Sequence, residues 1–285
     1  MQLSAQEIKQ LQDNARKIRV DVIEMVTEAG SGHTGGPLGM ADVFSALFFH
    51  ILKIDPKNPN WKERDRLVLS NGHICPVLYA TMAEAGFFPT SELKTLRKLG
   101  SRLQGHPHRT ALPGLETTSG PLGSGLSQSV GMALAGKLDK SKWRVFCLMS
   151  DGEQDEGNTW EGVMMAGKYK LNNLVALMDR NNIQIDGNTE DIMPLDDVVA
   201  KYKAFNWHVI EIDGHNFSEI VEAYESAKTV TDKPTMIIAH TIPGKGVSFM
   251  ENRYEWHGIP PDIQEVVGAP VKGKQSSKAL EELNI

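Results

Sequence analysis

The sequence predicts an α/β fold: a central parallel sheet with helices packed on both of its faces. Apolar runs of strand length recur at 143–149, 174–178, 208–212 and 235–240, each flanked by stretches with helical spacing. Unbroken apolar strands, as opposed to alternating ones, belong to sheets buried on both sides. The length agrees, since 285 residues suit one sizeable α/β unit with a C-terminal extension. Hydrophobic residues at 40% and charged residues at 23% are ordinary for a globular chain, which excludes disorder, collagen-like repeats and a disulfide-stapled scaffold.

The elements follow in order. Ile8, Leu11, Ala15, Ile18 and Val22 mark one face of an amphipathic first helix, and its interspersed charges exclude a secretory signal. The Gly-rich stretch 29–37 reads as a loop, followed by a helix over 41–51. The most apolar segment, 43–52, is interrupted by Ser45 and His50 and is too short to span a bilayer, so no membrane association and a cytoplasmic location are expected. Residues 66–70 form a short strand ending in Asn71-Gly72-His73, with a helix over 76–85 behind it. The Gly-, Pro-, Thr- and His-rich stretch 101–123 is a long loop feeding a helix over 126–138. Past His257 the periodicity fades, and 272–278 reads as an exposed linker before a short helix over 279–283. The expected organisation is a main domain over 1–257 and a C-terminal extension over 258–285.

Thirty Lys plus Arg against 36 Asp plus Glu give a net charge of −6 with no basic block, which excludes a reader of nucleic-acid backbones. Cys75 and Cys147 form no CxxC pair and read as buried small hydrophobes in a reducing compartment.

Chemistry enters at two strand ends. Asp151-Gly152 closes one buried strand, and Asn181-Asn182-Ile183 closes the next, about thirty residues on. In a right-handed βαβ unit these two rims lie side by side, where open parallel sheets bind ligands. A carboxylate, a carboxamide oxygen and a backbone carbonyl are hard donors suited to Mg²⁺ or Ca²⁺ holding a diphosphate. Taken singly, Asp151 reads equally as a helix cap and Asn181 as a left-handed turn residue. An EF-hand loop from Asp151 fails, because its sixth and twelfth positions are Glu156 and Gly162.

Asp-Gly followed by Asn-x-Ile resembles the metal motif of the thiamin-diphosphate-binding fold, and the surrounding segments resemble the transketolase family. These are Ser31-Gly32-His33 with Gly39-Met40-Ala41-Asp42, the run from Asp65 to His73, Gly105-His106-Pro107, and the run from Glu116 to Gly123. The similarity spans roughly residues 10–260 in register. Ser150 stands where the family has Gly, and a small residue still fits. The family's chains continue into a pyrimidine-binding and a third domain, so this sequence resembles the N-terminal subunit of a split transketolase.

The resemblance implies transfer of a two-carbon ketol unit from a ketose to an aldose, with or without phosphate, using thiamin diphosphate and Mg²⁺, for which Ca²⁺ or Mn²⁺ could substitute. It assigns the metal to Asp151, Asn181 and the carbonyl of Ile183. It assigns the cofactor to His73, Gly120, Leu122, Gly152, Asn181, Ile185 and His257, and the reacting carbonyl to His33, His73, His106 and His257. Imidazoles suit that task because they hydrogen-bond hydroxyls and move protons near neutral pH. His108, His215 and His240 are expected to be ordinary loop histidines, and His50 and His208 packing residues. Glu156 and Glu161 fall at family positions near a subunit interface, or are plain surface charge, and Trp160 between them is expected to pack. The implied partner is a C-terminal transketolase subunit in an α₂β₂ assembly.

Other readings are a nucleotide- or phosphate-binding module and a non-catalytic scaffold subunit. Gly123-Ser124-Gly125 begins like a dinucleotide fingerprint but lacks the third Gly, and there is no Walker lysine motif. Deoxyxylulose-phosphate synthase, a relative with its domains in one chain, has different loop motifs.

Overall fold

A computed structural model describes residues 3–284, so the outermost residues of the two expected spans lie outside the described part. Helix α1 (Ala5–Ala29) opens on a reciprocal cap, in which the Ser4 side chain accepts from the Glu7 N–H while the Glu7 carboxylate accepts from the Ser4 N–H. It ends at Gly30 in the left-handed region, φ 60°. Leu11, Ala15, Ile18 and Val22 are buried as their spacing predicts, and Ile8 is half-buried.

Helix α2 (Gly35–Ala46) starts earlier than expected, with Gly35-Gly36-Pro37 as its first turn instead of a loop. Proline in a first turn sacrifices no hydrogen bond. Glycine here serves close packing: a Cβ on Gly39 would lie 2.9 Å from the carbonyl oxygen of Ile242. A widened turn continues the helix through Leu47–Ile51, where His50 is exposed, contrary to the packing role expected of it.

Strands β1 (Arg66–Leu69), β2 (Val145–Ser150) and β3 (Leu174–Arg180) are followed by a two-stranded ribbon of β4 (Ile183–Gln184) and β5 (Gly187–Asn188), then by β6 (His208–Asp213) and β7 (Thr235–His240). The main sheet is parallel throughout, in the order β1-β2-β3-β7-β6. Helices α3 (Cys75–Glu84), α4 (Ser124–Leu138) and α5 (Gly157–Lys168) are followed by the short α6 (Thr189–Ile192) and by α7 (Val198–Ala204) and α8 (Phe217–Thr229). Phe146 and Leu148 point into a core shared with α1, α2, α3 and α8, whereas Val145, Cys147 and Met149 point into a second core with α4, α5 and α7. That is the two-sided burial the apolar runs predict. Both cysteines are buried.

The C-terminal segment departs from the linker expectation. Helix α9 (Gln275–Leu283) begins inside the Lys-rich run, on a glutamine with no exposed surface. Gln275 and Asp262 exchange side-chain and backbone bonds at 2.7 and 2.8 Å, and the Gln275 amide donates to the carbonyls of Gln264 and Pro270. Ala279 and Leu283 enter the same core as α1. Among the described residues no helix is long and apolar enough to cross a membrane.

Candidate cofactor and active site

The C-terminal ends of β1, β2, β3 and β7 open onto one rim, where ligands of open parallel sheets bind. Register pairs Ser150 with Asp179, which sets Asp151 beside the turn that follows β3. Asp151 has no exposed surface. Its Oδ1 accepts from the Gly152 N–H at 2.8 Å, and its Oδ2 accepts from the Asn182 N–H at 2.7 Å, Arg180 at 3.3 Å and the Thr189 hydroxyl at 3.4 Å. Burial pushes this carboxyl upward, against the opposing pull of the Asn182 N–H and Arg180.

The left-handed turn residue is Asn182, φ 61°, and not Asn181. The Asn181 side chain is held at both ends: its Nδ2 donates to Asp179 at 2.8 Å and its Oδ1 accepts from the Ile183 N–H at 3.0 Å, which leaves that oxygen one further acceptor site for ligation. Asp179 is almost wholly buried, takes a second bond from the Thr241 hydroxyl, and is pushed up to about 7 by burial. With the Thr241 hydroxyl on its Oδ1, Asp179 accepts the Asn181 amide nitrogen at Oδ2, which fixes that nitrogen on its own side and sets the amide oxygen apart from it. The ribbon β4–β5 then carries Ile185 to its tip, where the side chain is 69% exposed.

Opposite stand the imidazoles. The ring centroids of His33 and His73 lie 4.8 Å apart, and each is 5.4 Å from His257. Their loops are pinned from behind. Thr34 donates to the Ile259 carbonyl, and Trp256, with no exposed surface, donates to Phe249, which fixes the backbone on either side of His257. Tyr79 and Cys75 of α3 donate to Gln104 and Gly105, next to His106. Gly72 permits a close approach, since a Cβ there would lie 2.5 Å from Ser119 Cβ. Burial holds His33 down to about 3 and His257 down to about 4, with neighbouring His257 and Arg97 adding to the effect at His33. His73 is lowered by burial and by His33, and His106 by burial and Arg97. All four are therefore neutral at pH 7, and Nδ1 of His33 and of His257 is buried without a partner.

A cleft of about 390 Å³ separates the two walls. It is lined by His33, His73, His106 and His257, by Gly120 and Leu122, and by Asp151, Gly152, Asn181, Ile183 and Ile185. Glu156 and Glu161 lie outside it, exposed at and after the start of α5, and Trp160 packs on Tyr202 and Phe205.

The pattern of the family described as "Transketolase, thiamine diphosphate binding domain" matches residues 10–274. The chain belongs to the transketolase family. Within it, the chain is 46% identical over 257 residues to the 6-deoxy-6-sulfo-D-fructose transketolase subunit SqwG of Clostridium sp. (strain MSTE9), covering 90% of this chain and 93% of that one. It is 39% identical to an apulose-4-phosphate transketolase subunit of Phocaeicola vulgatus, covering 98% and 99%. Rat transketolase is 41% identical, and there the match takes in 96% of this chain but 44% of the relative. The transketolase structure from Campylobacter jejuni superimposes with a TM-score of 0.87 at 35% identity, over 99% of this chain and 43% of that one. The thiamin-diphosphate-binding fold of the transketolase family is thus the fold of this chain.

Within this transketolase domain the donor set suits a hard divalent ion: one buried carboxylate with an open oxygen, one oriented amide and a backbone carbonyl. The unpartnered Nδ1 atoms and the buried, unpartnered Gln184 Nε2 suit a polar ligand in the same cleft.

Three residues escape a reading from sequence. Glu153, with no exposed surface, accepts from the Ser70 hydroxyl and from the Gly123 and Ser150 N–H groups, tying together the loops that carry His73, Leu122 and Asp151. Asp179 orients Asn181, and its one signal is a carboxylate at the end of an apolar run. His215 reads from sequence as an ordinary loop histidine, yet its Nδ1 lies 2.7 Å from Asp42 and its Nε2 accepts from the Ile242 N–H at 2.8 Å. Asp42 is also held by Arg19, so His215 is a half-buried strut under the loop that leads to His257.

Proposed function

We propose that this chain is the N-terminal subunit of a Mg²⁺-dependent transketolase that moves a two-carbon ketol unit from a ketose, or its phosphate, to an aldose, or its phosphate. The observation that carries the proposal is the convergence, in one cleft, of four neutral imidazoles and the Asp151–Asn181–Ile183 oxygens. Asp151, Asn181 and the Ile183 carbonyl would hold Mg²⁺, while Gly152 and His73 face the diphosphate, Gly120 and Leu122 the aminopyrimidine, and Ile185 the ring system. Thiamin diphosphate supplies the electron sink for breaking and making the carbon–carbon bond. His33, His73, His106 and His257 bind the sugar's oxygens; being neutral, each ring can donate from one nitrogen and accept at the other, so it can hold or pass a proton at a hydroxyl or carbonyl oxygen.

Two relatives matched over 93% and 99% of their length are named as transketolase subunits, which supports a separate C-terminal partner and an α₂β₂ assembly. Glu156 and Glu161, exposed beside the cleft, are proposed for the subunit interface. The main domain is proposed to end at His257, with 258–285 as an extension, and the two free, buried cysteines suit a cytoplasmic location.

Thermal melts of the full chain test the cofactor site. Thiamin diphosphate should raise the melting temperature only with Mg²⁺ present, and Asp151→Ala should lose that rise while its ligand-free melt stays cooperative. An unchanged rise in Asp151→Ala would remove the metal assignment, and stabilisation by nucleotides instead would favour the phosphate-binding module.

A further inference from the structure

Arg180 ends β3 and lies outside the cleft lining, yet it touches the metal-facing carboxylate from behind. Its guanidinium bridges two acids, with Nη1 at 3.3 Å from Asp151 Oδ2 and Nη2 at 2.6 Å from Glu190 Oε1. The Arg180 side chain is 11% exposed and that of Asp151 not at all, so this charge is poorly screened.

The contacts divide the work of Asp151 between its two oxygens. Oδ2 takes Arg180 together with the Asn182 N–H and the Thr189 hydroxyl, whereas Oδ1 takes only the Gly152 N–H. A carboxylate offers about four acceptor sites in all, so the free capacity lies on Oδ1, at the cleft. A cation arriving there meets a carboxylate already partly neutralised, and is repelled by the guanidinium behind it. Glu190, on α6, works the other way: it holds the opposite edge of the guanidinium at the shorter distance and offsets its charge.

We infer that the Arg180–Glu190 pair sets the divalent-cation affinity of the Asp151 site, with Arg180 holding it down and Glu190 limiting that effect. The inference rests on the cofactor-site reading of the cleft. Asp151 stays oriented without Arg180, because the Gly152 and Asn182 N–H groups hold both of its oxygens. Removing Arg180 therefore changes charge more than geometry.

The test is a Mg²⁺ titration of the full chain at pH 8 with saturating thiamin diphosphate, read as the Mg²⁺ concentration that gives half of the thermal stabilisation. Arg180→Met should lower that concentration at least about fivefold, and Glu190→Gln should raise it at least about threefold, as expected for charges a few ångströms from the ion. Asp191→Asn removes the same charge one residue further on, from a side chain that bonds Asn188 instead of Arg180, and should move it less than about twofold. A half-saturating concentration unchanged or raised in Arg180→Met would overturn the inference, as would Asp191→Asn matching Glu190→Gln. Should Arg180→Met fail to fold, the contrast between Glu190→Gln and Asp191→Asn decides alone. Absence of any Mg²⁺-dependent stabilisation in the unsubstituted chain would remove the cofactor reading, and this inference with it.

Discussion

On the carboxylate wall of the cleft Asp151 accepts four hydrogen bonds, Asn181 uses both ends of its amide, and Asp179 behind it is held by Thr241 and Asn181. Across the cleft, His33 and His257 bury Nδ1 without a partner, although unmade bonds of this kind cost about 1–3 kcal/mol each. The Asp151, Asn181 and Asp179 side chains are already bonded before a ligand arrives, although the neighbouring Gln184 Nε2 is not, so these oxygens need no rearrangement to meet a cation. The second wall is held from behind by hydrogen bonds from Trp256, Tyr79 and Cys75 to its loops, and its rings keep hydrogen-bonding capacity in reserve. On the proposed function, the difference is that between a wall that would fix a cofactor and one that would meet a changing substrate.

The most severe way to break this contrast is to remove the reserve. His33→Ala and His257→Ala should lower kcat/KM of the enzyme reconstituted with its partner by roughly 10²–10⁴-fold, the range of proton-transfer catalysis. The half-saturating Mg²⁺ concentration should stay within about threefold, because substrate-side contacts act on turnover. Unaffected turnover would return both residues to the role of loop histidines.

The strut below the imidazole wall comes next. His215→Ala strips a bond from the buried Asp42 and another from the Ile242 N–H, and should cost about 3 kcal/mol in chemical denaturation. A loss under about 0.5 kcal/mol, the scale of surface changes, would show that Arg19 alone holds Asp42.

Acid should then weaken the imidazole wall itself. Unfolded histidine takes a proton near 6.5, whereas folded His33 and His257 do so only near 3 and 4. The unfolded chain therefore binds more protons between these values, and stability falls as pH drops below 6.5. At pH 5 the loss should be about 2 kcal/mol per residue. Denaturation of His33→Asn and His257→Asn at pH 7 and pH 5 should show that share missing, and slopes equal to the parent's would contradict it. The smallest effect belongs to His240, whose exposed side chain pairs with Glu211, where His240→Ala should change stability by less than about 0.5 kcal/mol.

The two walls are not equally legible in the sequence. β2 and β3 announce themselves as unbroken apolar runs, so the placement of Asp151 and Asn181 on neighbouring rims follows from strand and crossover rules. The histidines sit in loops of low periodicity, and only the resemblance of their flanking motifs draws them together. Residues that act through distant partners stay hidden. Glu153, Asp179 and His215 bond to elements tens of residues away, and Gln275 starts a helix by caging itself against Asp262. Gly35-Gly36-Pro37 misleads because glycine signals a loop locally but serves helix contact here, with a Cβ on Gly36 only 3.0 Å from Ile74.

This chain is proposed to supply the diphosphate side of a catalytic site that a second chain completes. The most direct test is ketol transfer measured for the purified chain, for its purified C-terminal partner, and for their mixture, with thiamin diphosphate and Mg²⁺ present throughout. Turnover is expected only in the mixture, with the cofactor promoting co-elution of the two chains. Full activity from this chain alone would contradict it.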